Sequence, residues 1–224
     1  MADEIDVALP TGAGLCHDDF WVSAQLACKR VVDLVAALAL VVFLSPILLG
    51  VAAVVRLSSP GPAFFRQKRW GRGDSQFLCW KFRTMHVEQA SLVDPETVQR
   101  LLAQGVLLKP KNDPRVTRVG AFLRKTSIDE LPQLFNVITG EMSLVGPRPL
   151  MLHMLTPYPE LREARGQMRP GITGLWQISS RENNETALQM APYDLAYIRG
   201  FNLWADVKIL ARTPAAVLLG WGAY

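Results

Sequence analysis

A run of 25 residues from Val31 to Val55 is almost entirely apolar. As a straight helix it would reach about 37 Å, enough for the hydrocarbon core of a bilayer. Ser45-Pro46 lies near its middle, where the proline removes a backbone hydrogen bond and bends a helix. The serine hydroxyl can donate to the freed backbone, which makes such a bend tolerable in lipid.

The flanks of the run are basic on both sides, which bears on whether it crosses a membrane. Lys29 and Arg30 precede it, and Arg56 with four further cations follows it, namely Arg66, Lys68, Arg69 and Arg72. Basic residues mark the cytoplasmic side of a membrane segment. A helix that breaks at Ser45-Pro46 and returns on the same face fits both flanks, but a kinked transmembrane helix remains open. We expect Asp33, inside the run, to pair with Lys29 or Arg30 at the interface.

The residues after the apolar run alternate between turn signals and short periodic segments. The Pro-, Gly- and Arg-rich stretch 56–74 predicts loop and turns. QFLCWKFRTM predicts a strand with Phe77, Cys79 and Lys81 on one face and Leu78, Trp80 and Phe82 on the other. Residues 87–108 and 116–123 have helical spacing, and Leu131, Leu134, Phe135 and Ile138 form one face of a helix closed by Gly140.

The C-terminal part predicts a turn and short strand in RPGITGLWQIS, followed by helix. In the last helical stretch Trp204, Val207, Leu210 and Ala211 form an apolar stripe beside Lys208 and Arg212. Such a stripe is typical of a helix lying in the membrane interface and equally of a helix facing a protein core.

Composition limits the classes of protein and of partner. The chain has 224 residues, half of them hydrophobic, which suits one folded domain with one membrane element. Residues 1–28 hold five acids and no Lys or Arg, whereas residues 29–125 hold 16 Lys/Arg against 6 Asp/Glu. The basic middle indicates an anionic partner. The three cysteines, without CxxC or Cys/His spacing, argue against a disulfide framework and a zinc site.

The densest polar cluster runs from Arg124 to Glu130 and has two interpretations. Ser127-x-x-Glu130 has the spacing of a capping box, with acids in the first turn of a helix. Alternatively, Asp129 is a carboxylate nucleophile that attacks phosphorus and Glu130 a magnesium ligand, with arginine pairing phosphate oxygens. The two can coexist, since a helix N-terminus would lower the pKa of the aspartate and present amides to phosphate.

Several blocks in order resemble one family. They are KR at 29–30, SP at 45–46, SPGPAFFRQKRWG, KFRTM, DPRVTRVGAFLRKTSIDELPQLFNVITGEMSLVGPRP and RPGITGLWQIS. Together they are similar to the bacterial sugar transferases, the monotopic polyprenyl-phosphate phosphoglycosyl transferases. The resemblance covers roughly residues 29 to 213.

The resemblance implies a role for particular residues. Asp129 would be the nucleophile and Glu130 the magnesium ligand, with Arg124, Arg148 and Arg181 as phosphate or substrate contacts. Between the GITG block and Arg181 the chain reads ISSR, where many relatives have a glycine before the arginine. Pro147 and Pro149 would form a structural turn, and Ser45-Pro46 the break of a re-entrant helix. Lys81 and Arg83 are further candidates for substrate binding, with the outer face of an edge strand as the alternative.

The resemblance also implies fold, reaction and location. The fold would be α+β and mostly helical, with an acidic leader (1–28), a re-entrant membrane hairpin (29–56) and a catalytic domain (57–224). The reaction would transfer a sugar 1-phosphate from a nucleotide sugar, usually a UDP-sugar, to polyprenyl (undecaprenyl) phosphate with Mg²⁺, starting exopolysaccharide assembly. The protein would sit on the cytoplasmic face of the inner membrane.

Two other functions are weighed against this one. A catalytically silent membrane module of a polysaccharide assembly system would not need both carboxylates. A nucleic-acid-binding protein is disfavoured, since the basic residues lack interleaved stacking aromatics. The sequence leaves the sugar and the oligomeric state open, a homodimer included.

Overall fold

The computed structural model describes residues 20–87, 113–179 and 186–218. The helices are α1 (Phe20–Ser58), α2 (Arg118–Lys125), α3 (Gln133–Thr139), α4 (Leu152–Leu155), α5 (Pro159–Gly166), α6 (Leu175–Ser179), α7 (Ala187–Arg199) and α8 (Leu203–Leu218), and a 3₁₀ turn covers Ile128–Glu130. The strands are β1 (Phe64–Trp70), β2 (Gln76–Phe82), β3 (Ser143–Val145) and β4 (Gly171–Thr173). The fold is therefore α+β and mostly helical, as predicted.

The long helix α1 carries the apolar run and stays helical through Pro46. The Ser45 hydroxyl donates to the carbonyl of Val42 at 2.8 Å. That carbonyl lies four residues before Pro46 and has lost its usual N–H partner, so the predicted compensation by serine is confirmed. The helix does not end at Ser45-Pro46, and the re-entrant hairpin stays a prediction.

Both halves of α1 contact the same folded body. In the N-terminal half Ala37 is fully buried in a core with Leu134 and Val137 of α3. In the C-terminal half Leu48 and Val55 pack against Phe82 of β2 and Leu123 of α2. The rest of the surface is apolar and exposed, and only 11% of the most apolar stretch of the helix is buried. By length and composition α1 suits a membrane, and its exposed apolar surface indicates association with one.

Strand β1 corrects the prediction of a loop over 56–74. It pairs with β2 antiparallel in unbroken register, from Phe64 opposite Phe82 to Trp70 opposite Gln76. Cations lie on both of its faces, Arg66 and Lys68 on one and Arg69 on the other, so the alternation of apolar and polar residues on which a strand prediction depends is absent. The Pro and Gly residues that suggested a loop lie in the flanking turns, where Gly61 and Gly73 have positive φ angles of 115° and 59°.

Strand β2 follows its prediction in most respects. Phe77 and Cys79 are buried on the expected face. Phe82, on the other face, is buried as well because α1 covers that end of the ribbon. The side chain of Asn136 in α3 accepts from the N–H of Trp80 at 2.9 Å and donates to the carbonyl of Leu78 at 2.8 Å. This amide fixes β2 against α3.

The predicted helices and short strand in 116–173 are confirmed. Helix α2 is capped by Thr117, whose hydroxyl accepts from the N–H of Gly120 at 2.8 Å. Helix α3 ends at Gly140, which adopts φ 88°. Strand β4 falls in the RPGITG block and pairs parallel with β3. The helix predicted for 87–108 lies, apart from Val87, outside the described residues.

Helix α8 presents its apolar stripe to the outside. Trp204, Val207 and Leu210 are 64%, 50% and 38% exposed, whereas Ile209 on the other side is buried. The stripe therefore does not face the core, and that alternative is wrong. A helix lying in a membrane interface remains the interpretation that fits it.

We expect Gly120→Ala to lower the stability of the body. A Cβ at this position would overlap the backbone of Thr84, which has no freedom to rotate away. A loss of about 1–3 kcal/mol is the usual cost of such overpacking, and it would also displace Arg124 on the same helix. Thermal unfolding in detergent measures it, with Gly50→Ala, where a Cβ meets open space, as the matched control. Equal midpoints for the two variants would contradict the close approach.

Candidate active site

Asp129 and Glu130 lie on the 3₁₀ turn between α2 and α3. The capping box predicted for Ser127 and Glu130 is wrong: Ser127 adopts φ 56° and its side chain makes no capping hydrogen bond. The α-helix begins only at Gln133, after Pro132. Proline has no N–H to contribute to the helix, so the turn before it is left as a separate element. The dyad thus stands on a short, strained connection and not in a regular first turn.

Three cations from separate elements surround the dyad. Lys81 of β2 places Nζ 2.7 Å from Glu130 Oε1 and 3.8 Å from Asp129 Oδ2. Arg148, in the turn after β3, lies 3.7 Å from the same Glu130 oxygen. Arg124, in the last turn of α2, donates from Nε to the Thr84 hydroxyl at 2.9 Å. Its charge also acts on the carboxyl of Asp129.

Burial dominates the electrostatics of Asp129, which is 8% exposed. Removal from water raises the pKa of this carboxyl, and the charge of Glu130 raises it further. Lys81, Arg124 and Arg148 act in the opposite direction and lower the pKa. The net direction is upward, which contradicts the expectation that a helix N-terminus would lower the pKa. The reason is that the turn is too short for a helix dipole to outweigh desolvation.

Arg83, another predicted contact, lies elsewhere. The guanidinium of Arg83 is directed to the C-terminal end of α1, where it donates to the carbonyls of Ser59 at 2.8 Å and Val55 at 3.3 Å and also contacts Pro60. Unpaired carbonyls at a helix end attract such a side chain. The structure therefore does not bring Arg83 to the dyad, although it is two residues from Lys81. Arg181 lies outside the described residues.

The turn that carries Arg148 is held by its backbone. The carbonyl of Pro147 accepts from the N–H of Gly171 at 2.9 Å, and the carbonyl of Pro149 accepts from Arg69 at 3.1 Å. Sequence reasoning missed Arg69 because it placed this segment in a loop. Strand pairing with β2 is what directs Arg69 toward the turn.

A buried ion pair holds the backbone of Arg148 itself. Arg165 of α5 donates to the carbonyl of Arg148 at 2.6 Å and lies 2.9 Å from Asp194 of α7. Asp194 in turn accepts from the backbone N–H of Arg148, and burial raises its pKa to about 6. Both residues went unnoticed in the sequence, where they lie in unrelated helical stretches. No local signal marks them. Their shared partner, Arg148, is up to 46 positions away in the chain, and only packing brings the three residues together.

The dyad offers oxygen donors suitable for magnesium, although it forms no preformed cage. Within the described parts of the chain, no three His, Cys, Asp or Glu side chains converge on one point. Magnesium is commonly held by one or two carboxylates plus substrate phosphates, so Glu130 suffices as the protein ligand. Its Oε1 is engaged by Lys81, and an ion there would share or replace that contact.

Fold and site together define a class of membrane-associated α+β proteins. The adjacent carboxylates, surrounded by lysine and arginine, are suited to chemistry on phosphate. The comparison with known families agrees. The model of the bacterial sugar transferases matches residues 24–220. The chain belongs to that family.

Curated relatives carry names consistent with this class. The exopolysaccharide production protein ExoY of Rhizobium meliloti is 41% identical over 202 residues, covering 88% of each chain. A UDP-glucose:undecaprenyl-phosphate glucose-1-phosphate transferase of Escherichia coli is 41% identical over 88% of this chain and 41% of its own. An undecaprenyl-phosphate galactose phosphotransferase of Salmonella typhimurium is 39% identical with the same coverage. The chain thus spans less than half the length of several relatives that it matches.

Proposed function

We propose that this protein transfers a sugar 1-phosphate from a UDP-sugar to undecaprenyl phosphate. The observation that carries the proposal is the buried carboxylate of Asp129, next to Glu130 and within reach of three cations from three elements. Two negative phosphate groups have to meet for such a transfer, and Lys81, Arg124 and Arg148 offset their charge. The names of the relatives supply the substrate class.

In the first step the carboxylate of Asp129 attacks the β-phosphorus of the donor. The new bond joins Asp129 to phosphorus, the bond from β-phosphorus to the bridging oxygen breaks, and UMP leaves with the electron pair. Arg148 and Lys81 lie where they can hold the phosphate oxygens during the attack. The result is an acyl phosphate that carries the sugar, which divides one difficult transfer into two.

In the second step a phosphate oxygen of the lipid attacks the same phosphorus. The acyl phosphate bond breaks, and the Asp129 carboxylate is restored. Burial of Asp129 serves this step because an acyl phosphate exposed to water would be hydrolysed before the lipid reacted.

Placement at the membrane follows from α1 in this proposal. The helix would enter the cytoplasmic face of the inner membrane, bend at Ser45-Pro46 and return, leaving the body on one side. The basic residues at both ends of the apolar run, Lys29 and Arg30 before it and Arg56 after it, support this, because basic flanks mark the cytoplasmic side. The dyad would then lie near headgroup depth, where the phosphate of the lipid acceptor is found.

Incubation with a panel of UDP-sugars tests the proposal. Purified protein in detergent or nanodiscs, with Mg²⁺, should form a phosphosugar adduct on Asp129 with one donor and release UMP. Intact mass spectrometry detects the adduct, and addition of undecaprenyl phosphate should discharge it. If every donor left the protein unmodified and no lipid product formed, the catalytically silent module would be the better interpretation.

We expect removal of divalent cation to abolish turnover. Mg²⁺ bound by Glu130 and the donor would neutralise charge on the diphosphate and so assist departure of UMP. EDTA should lower the rate by at least about a hundredfold, as the loss of several kcal/mol of charge stabilisation requires. Added Mg²⁺ should restore the rate in the wild-type protein. Glu130→Gln should need far more Mg²⁺ for the same rate, and an unchanged requirement would remove Glu130 as the ligand.

A further inference from the structure

A second group of cations lies at the far end of α3 from the dyad. It lines a cavity between α1, the β1–β2 turn and the segment before β4, and its charged residues are Lys29, Arg30, Asp33, Arg72 and Arg169. The two groups are separated by α3, because Arg30 donates to the carbonyls of Val137 at 2.6 Å and Ile138 at 3.0 Å in the last turn. The dyad precedes the first turn, and seven residues of helix span about 10 Å.

The charges around this cavity do not balance. Lys29 is paired with Asp206 at 2.6 Å and with Asp33 at 3.8 Å. Asp33 also accepts from the Ser143 hydroxyl at 2.7 Å. The single carboxylate that lines the cavity, Asp33, is therefore already engaged, and the lining also holds three arginines, Arg30, Arg72 and Arg169.

Arg169 shows the consequence of this imbalance. Burial lowers the pKa of its guanidinium, and the charges of Arg72 and Arg30 lower it further, whereas the charge of Asp33 raises it without reversing the direction. Its Nε donates to the carbonyl of Gly140 at 2.8 Å. Its terminal amino groups have no hydrogen-bond partner among the described residues and remain donors. An anion between Arg169 and Arg72 would relieve the repulsion and accept those hydrogen bonds.

The position of Arg30 sets the depth of the cavity relative to a membrane. Arg30 is the last residue before the apolar run, and Val31 and Val35 immediately beyond it are 62% and 61% exposed. With these valines in hydrocarbon, Arg30 and its neighbours lie at the level of the lipid headgroups. The cavity then opens where phosphate groups are most concentrated.

The size of the cavity restricts what can enter. Its volume of about 20 Å³ has room for one water-sized group. A phosphate oxygen fits, with the rest of the phosphate-bearing molecule outside. The cavity encloses neither a whole headgroup nor a whole nucleotide.

We propose that Arg72 and Arg169, with Arg30, bind the headgroup phosphate of an anionic membrane phospholipid at a site separate from the dyad. The lipid would be neither donor nor acceptor but a bound component that fixes the depth and orientation of the body. The proposal rests on membrane attachment of α1 and is independent of the transfer chemistry.

Lipid titration tests this site without any sugar substrate. The full-length protein in neutral detergent is titrated with short-chain phosphatidylglycerol or phosphatidylcholine, and bound lipid is counted by native mass spectrometry. One phosphatidylglycerol should bind in preference to phosphatidylcholine. Arg72→Gln should weaken the binding of phosphatidylglycerol about fivefold, which is the contribution of one basic residue near an anionic headgroup. Arg72 is exposed, so the variant should fold. Arg169→Gln should weaken binding similarly. Arg199→Gln removes an exposed arginine outside the cavity and should weaken binding by less than twofold.

Two further measurements distinguish a lipid headgroup from free phosphate, and the cavity from the dyad. Inorganic phosphate at millimolar concentration should not displace the lipid; displacement that depends on Arg72 would show a site for soluble anions and overturn the assignment. Asp129→Asn should bind the lipid as the wild type does, whatever the fate of the proposed reaction. Equal losses in Arg72→Gln and Arg199→Gln would reduce the effect to general surface charge and refute the site.

Discussion

Asp129→Asn is expected to abolish turnover and the phosphosugar adduct together. Asparagine retains the shape of the side chain but its amide is a very poor nucleophile, so the covalent step has no substitute within the site. The rate should fall by at least about a thousandfold, the scale seen when a nucleophile is removed from an otherwise intact site. UMP release and lipid product are measured side by side.

The structure also determines the control for this variant. Asp74, which is exposed and pairs with Arg162 at 2.9 Å, offers the same substitution outside the dyad and the three cations around it. Asp74→Asn should retain near wild-type turnover. Substantial lipid product from Asp129→Asn would refute the double displacement and leave direct transfer between the two substrates.

The second large effect is expected from the buried pair Arg165 and Asp194. Asp194→Asn leaves the charge of Arg165 buried without a counter-ion, which typically costs about 3–5 kcal/mol. The free energy of unfolding in detergent should fall by that order. Turnover should fall as well, because Asp194 and Arg165 hold the N–H and carbonyl of Arg148.

A double variant separates positioning from stability. Arg165→Met with Asp194→Leu removes both charges, and apolar replacement of a buried pair commonly restores stability. We expect stability near that of the wild type but a persistent rise in KM for the donor, since the backbone of Arg148 has lost both partners. The exposed pair serves as control: Arg162→Gln with Asp74→Asn, which keeps a residue suited to the left-handed φ of 59° at position 74, should change stability by at most about 1 kcal/mol. A double variant with normal KM and kcat would show that the pair has only a structural role.

Local pattern was enough for much of the chain. The period of apolar residues located α2 and α3, and Gly140 correctly ended α3, because helix periodicity and a left-handed C-cap are properties of a few adjacent residues. The serine beside Pro46 was also interpreted correctly, since its hydrogen bond spans only three residues. Strand β1 was missed because both of its faces carry cations, which leaves no alternation of apolar and polar residues.

In the candidate site, too, short motifs predicted some residues correctly, whereas properties set by packing were not predicted. Ordered motifs placed Asp129, Glu130, Arg124 and Arg148 in one family pattern, and the structure brings all four together with Lys81. Arg83 was a further candidate for substrate binding, but it follows the last residue of β2 and its guanidinium binds the carbonyls of Val55 and Ser59 at the end of α1. A sequence pattern could not predict the raised pKa of Asp129, since desolvation depends on everything packed around a group.

By itself, the sequence determined the long apolar helix, the mostly helical α+β class, the family and the adjacency of the two carboxylates. These are properties of composition, short-range periodicity and motif order. Only the tertiary structure decided that Asp129 is buried, that Arg165 and Asp194 hold the turn of Arg148, and that three arginines meet beside α1. Each of those depends on contacts between residues distant in the chain, where packing, and not local preference, sets which groups meet.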